Sequence, residues 1–302
     1  MIKTPYIIAA SALIGAAIPK IANEMSELET TCYDILCKSL PKGFDGFKIV
    51  HLSDLHNKVY GKYNIHLFER IAKQRPDMIV ITGDMISHDT PTISSYLAFV
   101  KILCSKYPVY YVNGNHELSD MDETTFKHVE RELTSYGAVC LDNISAPFTY
   151  NGDRINLCGL CYSAEFYRGV RQYKRNWKAF TLEDMISCIN IKSTDDFTIL
   201  LAHNPLDFDV HAAWGADLSF GGHIHGGFIR LPLVKGIISP ERKLMPKYKE
   251  GIYYSGDAAL IVSRGLGRIR FFNKPEVVSV TLHCANKIKV SPSLKNIRDK
   301  FK

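Results

Sequence analysis

Five short stretches hold the residues able to do chemistry. They are Ser53-Asp54-Leu55-His56-Asn57, Gly83-Asp84, Asn113-Gly114-Asn115-His116-Glu117, His203-Asn204-Pro205 and Gly221-Gly222-His223-Ile224-His225-Gly226-Gly227. Carboxylate, imidazole and amide oxygen are ligands for manganese, iron or zinc. No cysteine is among them, which argues against a thiolate zinc site or an iron–sulfur cluster. The share of nitrogen donors is too high for calcium. The candidate ligands Asp54, His56, Asp84, Asn115, His203, His223 and His225 exceed what one ion needs once water has a place. Two divalent ions sharing a carboxylate fit better. Counting two aspartates and a hydroxide, such a site stays net positive and attracts an anion such as phosphate. Two ions roughly 3.5–4 Å apart can clamp an in-line displacement at phosphorus and bring the pKa of water down to about 7. The nucleophile then needs no serine or cysteine, and the chain has no G-x-S-x-G. A leaving alkoxide still needs a proton, and His116 is placed in sequence to supply it.

The elements that must position these groups are legible as apolar runs bounded by turn residues. Strands are predicted at Phe47–Leu52, Met78–Thr82, Val109–Val112, Thr198–Ala202 and Leu218–Phe220. Lys62–Gln74 and Ile93–Ser105 place apolar residues at helical spacing between the first three. Strand, helix, strand is the grammar of an α/β sheet with helices on its faces. In such sheets ligands bind beyond the carboxyl ends of the strands, and each predicted strand runs directly into one of the five polar stretches. Singly, each residue has a blander reading: Asp54 or Asp84 as a cap or turn, His203 as a satisfied core histidine. Five such coincidences in strand order are harder to explain that way. His51, His66, His88, His128, His211 and His283 fall outside the pattern and read as structural.

Composition narrows the class. With 302 residues, 46% of them hydrophobic, the chain is an ordinary globular protein long enough for one large α/β domain. A net charge of +6 with scattered basic residues argues against a dedicated nucleic-acid binder. Eight cysteines in a chain this long do not make a disulfide scaffold. Cys158-Gly159-Leu160-Cys161 has no partner pair at zinc-ribbon spacing and reads better as part of a hydrophobic strand. Tyr6–Ile18 is an uncharged apolar run flanked by Lys3 and Lys20. It reads as a signal-like segment or signal-anchor, with membrane association through the N-terminus and the side left open. The expected division is residues 1–30 for that segment, 31–285 for a catalytic domain and 286–302 for a basic tail. The tail carries Lys287, Lys289, Lys295, Arg298, Lys300 and Lys302 against Asp299 alone. It is read as solvated, with contact to anionic lipid the sharper alternative.

The ordered set D-x-H (Asp54, His56), G-D (Gly83, Asp84), G-N-H-E (Gly114 to Glu117), a lone His203 and G-H-x-H (Gly222 to His225) resembles the calcineurin-like metallophosphoesterase family from about Phe47 to Leu282. The resemblance implies an α/β fold of four layers, two mixed sheets packed face to face and flanked by helices. It implies that Asp54, His56, Asp84 and His225 hold one ion, and that Asp84, Asn115, His203 and His223 hold the other. His116 would contact phosphate and protonate the leaving group. The expected cofactors are two divalent ions, with manganese ahead of iron and zinc. The later stretches RLPLVKG, PKYKEG, SRGLG and FFNKPEV are similar to a bacterial membrane-associated branch of that family. The implied activity is a phosphoesterase acting on a phosphomonoester, phosphodiester or pyrophosphate, in a small molecule or a lipid-linked substrate. No nucleic-acid partner is expected. A scaffold that keeps the fold for binding, and a nuclease of the same fold, are the alternatives. The chain departs from the family pattern at Ser87, where many relatives place an acidic residue three positions after the bridging aspartate, and at Ile224 and Phe228.

Overall fold

The structure is a computed structural model that describes residues 27–56, 58–86, 90–163, 166–167, 178–192, 195–227, 230–231, 235–236, 247–267 and 273–285. In chain order the strands are β1 (Glu29–Cys37), β2 (Lys48–Leu52), β3 (Met78–Thr82), β4 (Val109–Val112), β5 (Val139–Cys140), β6 (Ser145–Tyr150), β7 (Asp153–Leu160), β8 (Thr198–Ala202), β9 (Leu218–Gly221), β10 (Arg230–Leu231), β11 (Lys235–Gly236), β12 (Gly251–Ser255), β13 (Ala258–Val262) and β14 (Glu276–Cys284). The α-helices are α1 (Ile65–Ala72), α2 (Thr90–Cys104), α3 (Asn115–Asp120), α4 (Glu123–Ser135), α5 (Leu182–Ile189) and α6 (Phe208–Trp214).

Two six-stranded sheets form the centre, one in the order β1-β14-β2-β3-β4-β5 and one in the order β12-β13-β9-β8-β7-β6. Both are mixed: β2, β3, β4 and β5 run parallel while β14 is antiparallel to β2, and β7, β8, β9 and β13 run parallel with β6 and β12 antiparallel at the edges. The central strands are near-continuous apolar runs because both of their faces are covered. Along β3, Met78 and Val80 join Ile49, Val112, Ile199, Leu201, Leu218, Phe220 and Ile261 in the core between the sheets. The alternate residues Ile79 and Ile81 face outward onto Leu67, Ile71, Phe99, Val100, Leu103, Val129 and Leu133 of α1, α2 and α4. On the far side Leu200 and Ala202 of β8 meet Met185 of α5 and Trp214 of α6. Helices, sheet, sheet and helices are thus the four layers, as expected.

The predicted strands are β2, β3, β4, β8 and β9, with ends differing by one residue at most. The helical stretch predicted at 62–74 becomes a 3-10 turn at Lys62–Asn64 followed by α1, because Tyr63 and Asn64 turn through positive φ. The expected membrane association through the N-terminus is corrected. Among the described residues no helix is long and apolar enough to cross a membrane. Tyr6–Ile18 lies outside the described residues. At 1.5 Å per helical residue a run of that length reaches only about 20 Å, against about 30 Å of hydrocarbon. The basic tail from 286, Ser87 and Phe228 also lie outside the described residues.

Candidate active site

The site sits where the carboxyl ends of β2, β3 and β4 in one sheet meet those of β8 and β9 in the other. β2 runs into Asp54 and His56, β3 into Asp84, and β4 into Asn115 and His116 at the start of α3. β8 runs into His203 and β9 into His223 and His225. Backbone bonds fix these turns to one another. Gly83 carbonyl accepts from Asp54 N–H and Asp84 carbonyl from His56 N–H, both at 3.0 Å, and His203 carbonyl accepts from Gly222 N–H at 3.0 Å. Asp54, His56, Asp84, His223 and His225 all adopt positive φ, between 45° and 63°. Left-handed backbone at a non-glycine residue costs of order 1–3 kcal/mol and persists where surrounding structure enforces it. Here it turns five polar side chains back over the strand ends.

Close approach requires glycine at two points. A Cβ on Gly114 would stand 2.3 Å from Asp84 Oδ1, and one on Gly222 would stand 1.9 Å from Ser53 Oγ and 2.3 Å from Asp54 Oδ2.

Asp84 is the hub. Its Oδ2 stands 3.0 Å from His203 Nε2 and 3.9 Å from the Nε2 atoms of both His56 and His116. Its Oδ1 accepts from the His116 backbone N–H at 2.9 Å. Asp54 Oδ1 lies 3.7 Å from His225 Nε2 and 4.0 Å from His56 Nε2, and both Asp54 oxygens accept from His223 N–H at 3.1 Å. His56 Nε2 and His225 Nε2 face each other at 3.3 Å. His203 Nδ1 donates to the Thr82 carbonyl at 2.6 Å, so its other nitrogen points at Asp84. That nitrogen lacks hydrogen-bond geometry to the carboxylate despite the 3.0 Å approach, and buried Asn115 Oδ1 accepts from no protein donor.

The charges are correspondingly displaced. Burial would raise the Asp84 pKa, but His203, then His116 and His56, hold it well below the usual carboxylate range. Burial would lower His203, but the Asp84 and Asp54 carboxylates push it up to about 10. His56 is lowered by its burial against the pull of Asp84 and Asp54. His116 is raised, because Asp84 and Asp120 outweigh burial. A buried carboxylate kept ionised by the imidazolium beside it makes a centre suited to a cation.

The residues fit divalent ions. Asp54, His56 and His225 bring one ligand atom each within 4.8 Å of one another, as do Asp84, His203 and His223, and as do His56, Asp84 and His116. Ligand atoms about 2.1 Å from a shared ion lie roughly 3–3.5 Å apart, close to the separations above. The structure therefore brings together every residue singled out in the sequence: Asp54, His56, Asp84, Asn115, His116, His203, His223 and His225. Among the described residues no cysteine joins these three groups; all eight are free thiols, with Cys158 buried in β7.

Two acidic residues belong to this site that the sequence did not assign. Glu117 is buried, and its carboxylate accepts from the backbone N–H groups of Asp84 (2.8 Å), Met85 (2.6 Å), Ile86 (3.1 Å) and Gly114 (2.9 Å), clamping the Asp84 turn to α3. Burial and then the Asp84 carboxylate push it up to about 7, against the pull of those amides. An acidic residue three positions after Gly114 is a helix N-terminus signature, which was the available signal. Asp120 holds His116 Nδ1. Tyr167 is also buried, with its ring 5.3 Å from that of His223. Its neighbours in sequence carry no cue for it.

Comparison with known proteins fits the geometry. Residues 47–227 match the family described as Calcineurin-like phosphoesterase. The chain is similar to the metallophosphoesterase YkuE of Bacillus subtilis (strain 168), 30% identical over 86% of this chain and 87% of that one. It is similar to the metallophosphoesterase YkoQ of the same organism, 28% identical over 76% of this chain and 81% of that one. It is also similar to the UDP-2,3-diacylglucosamine pyrophosphatase LpxG of Chlamydia muridarum (strain MoPn / Nigg), 27% identical over 79% of this chain and 85% of that one.

Proposed function

The chain belongs to the calcineurin-like phosphoesterase family and is a hydrolase of that kind, and from this premise we propose that it cleaves a phosphomonoester, phosphodiester or pyrophosphate bond at a centre for two divalent ions. The observation that carries the reading is the position of Asp84, whose one oxygen faces imidazole nitrogens from both sheets. Asp54, His56, Asp84 and His225 hold one ion and Asp84, Asn115, His203 and His223 the other, with manganese the first choice. When bound, two such ions clamp a phosphoryl group and make hydroxide available at neutral pH. Asp84 bridges the two halves of the site and fixes their spacing. His203 is kept in the tautomer that ligates through Nε2 by its bond to the Thr82 carbonyl. His116 is more open to solvent than its neighbours, with Nε2 turned to the site, and it delivers its proton to the departing oxygen. Likeness to LpxG favours a pyrophosphate attached to a lipid-like group as the substrate.

The test uses the whole chain, stripped with chelator and reloaded with Mn²⁺, Fe²⁺ or Zn²⁺, against chromogenic phosphodiester and phosphomonoester. Turnover is expected to return with metal. Asp84→Asn is expected to lose turnover on these esters by about 10²-fold or more, and His116→Ala to lose as much on an alkyl phosphodiester, each with an unchanged circular dichroism spectrum. Wild-type rates in both variants would sink the assignment.

A further inference from the structure

His116 carries the proposed proton donor on an exposed edge of the site, where an imidazole left alone would rotate and exchange tautomers. The structure supplies something that stops it. Asp120 lies one helical turn on, at the end of α3, and its Oδ2 meets His116 Nδ1. The other oxygen, Oδ1, accepts from Ser119 Oγ at 2.9 Å, so the carboxylate is itself oriented. On the opposite side of the ring, Nε2 stands 3.9 Å from Asp84 Oδ2. The ring of His56 packs edge-on at 4.8 Å and closes one face.

We propose that Asp120 is the positioning residue for His116: it accepts the Nδ1 proton, fixes the ring, and presents Nε2–H to the departing oxygen. A carboxylate behind an imidazole sets its orientation and stabilises the imidazolium form. In the step itself a water-derived hydroxide oxygen forms a bond to phosphorus while the bond from phosphorus to the leaving oxygen breaks, its electron pair going to that oxygen. The leaving oxygen takes the proton from Nε2. His116 ends neutral, still donating Nδ1–H to an Asp120 that stays ionised throughout. The inference rests on the reading of His116 as the proton donor.

Because a poor leaving group needs that proton and p-nitrophenolate does not, the two should separate. In zinc-loaded full-length protein, Asp120→Ala is expected to lower kcat by about 10²-fold or more on an alkyl phosphodiester and by less than about fivefold on the p-nitrophenyl ester. KM and zinc content should hold, and Asp120→Glu should recover part of the loss. Equal losses on both esters would overturn the proposal, since a merely structural role moves both alike. A second readout does not depend on turnover. In ¹⁵N-histidine-labelled, zinc-loaded protein, the His116 ring should show a hydrogen-bonded Nδ1–H that disappears in Asp120→Ala. A wild-type ring without that Nδ1–H would overturn the proposal. If the wild-type chain hydrolyses neither ester with any metal, the functional reading fails, and the ring spectrum still decides whether Asp120 holds His116.

Discussion

Glu117 has no place in the proposed ligand set, yet four backbone N–H groups converge on its carboxylate, three of them from the Asp84 turn. Removing it leaves those buried donors unpaired, each at about 1–3 kcal/mol, and frees the turn that carries Asp84. Groups that orient metal ligands typically change affinity by about 10–100-fold when lost. Glu117→Ala is therefore expected to weaken metal binding by about that factor, as read by titration calorimetry on the stripped protein. Unchanged affinity would mean that α3 alone sets the turn. At this scale the sequence was informative where residue type and strand end coincide, as at Asp54, Asp84 and His203. It was silent where a partner depends on how far a helix runs. Asp120 sits in Leu-Ser-Asp-Met, a stretch that reads as ordinary helix end, and only the length of α3 brings it beneath His116.

Among the elements, the turns following β2, β3, β4, β8 and β9 do the positioning, and they interlock through absent side chains. Gly114 passes so close to Asp84 that a methyl group there would collide with its Oδ1 at 2.3 Å and its backbone nitrogen at 2.6 Å. Neither neighbour is a flexible end that can yield cheaply. Gly114→Ala is expected to destabilise the chain by about 1–3 kcal/mol and to lower bound metal as well, measured by urea unfolding and by metal analysis of the purified variant. Full stability with full metal content would show that the turn adapts. The strands feeding these turns were readable because β2, β3 and β8 are apolar on both faces and end abruptly in polar residues. β1, β5, β6 and β10 to β14 were not foreseen. At the sheet edges β6 alternates exposed and half-buried positions, β1 is buried only at Ile35 and Cys37, β12 is mostly half-buried, and the partners of β1 and β14 are more than 200 residues apart in sequence. Pairing across that distance leaves no local mark.

For the whole molecule, the site joins two sheets that otherwise meet through an apolar core. Asp54, His56, Asp84 and Asn115 come from one and His203, His223 and His225 from the other, so ions held as proposed bind the folded chain and not the unfolded one. Metal at about 100 times its dissociation constant stabilises by about 2.7 kcal/mol, or about 4 °C in Tm for a chain of this size. Chelation is expected to lower the melting temperature by that amount in a calorimetric scan, with recovery on adding metal back. An identical Tm with and without metal would count against a shared centre. A different consequence follows from the edge of the first sheet. β1 runs parallel to β14, and β14 runs antiparallel to β2, so Glu29, Glu276 and the end of β2 lie at one level while Cys37 and Cys284 lie at the other. The described chain thus enters the fold at the level where β2 runs into Asp54 and leaves it, some 30 Å away by strand length, at the other end of those strands. A support attached just ahead of Glu29 would lie on the side of the sheet where β2 runs into Asp54, and one attached just past Cys284 on the far side.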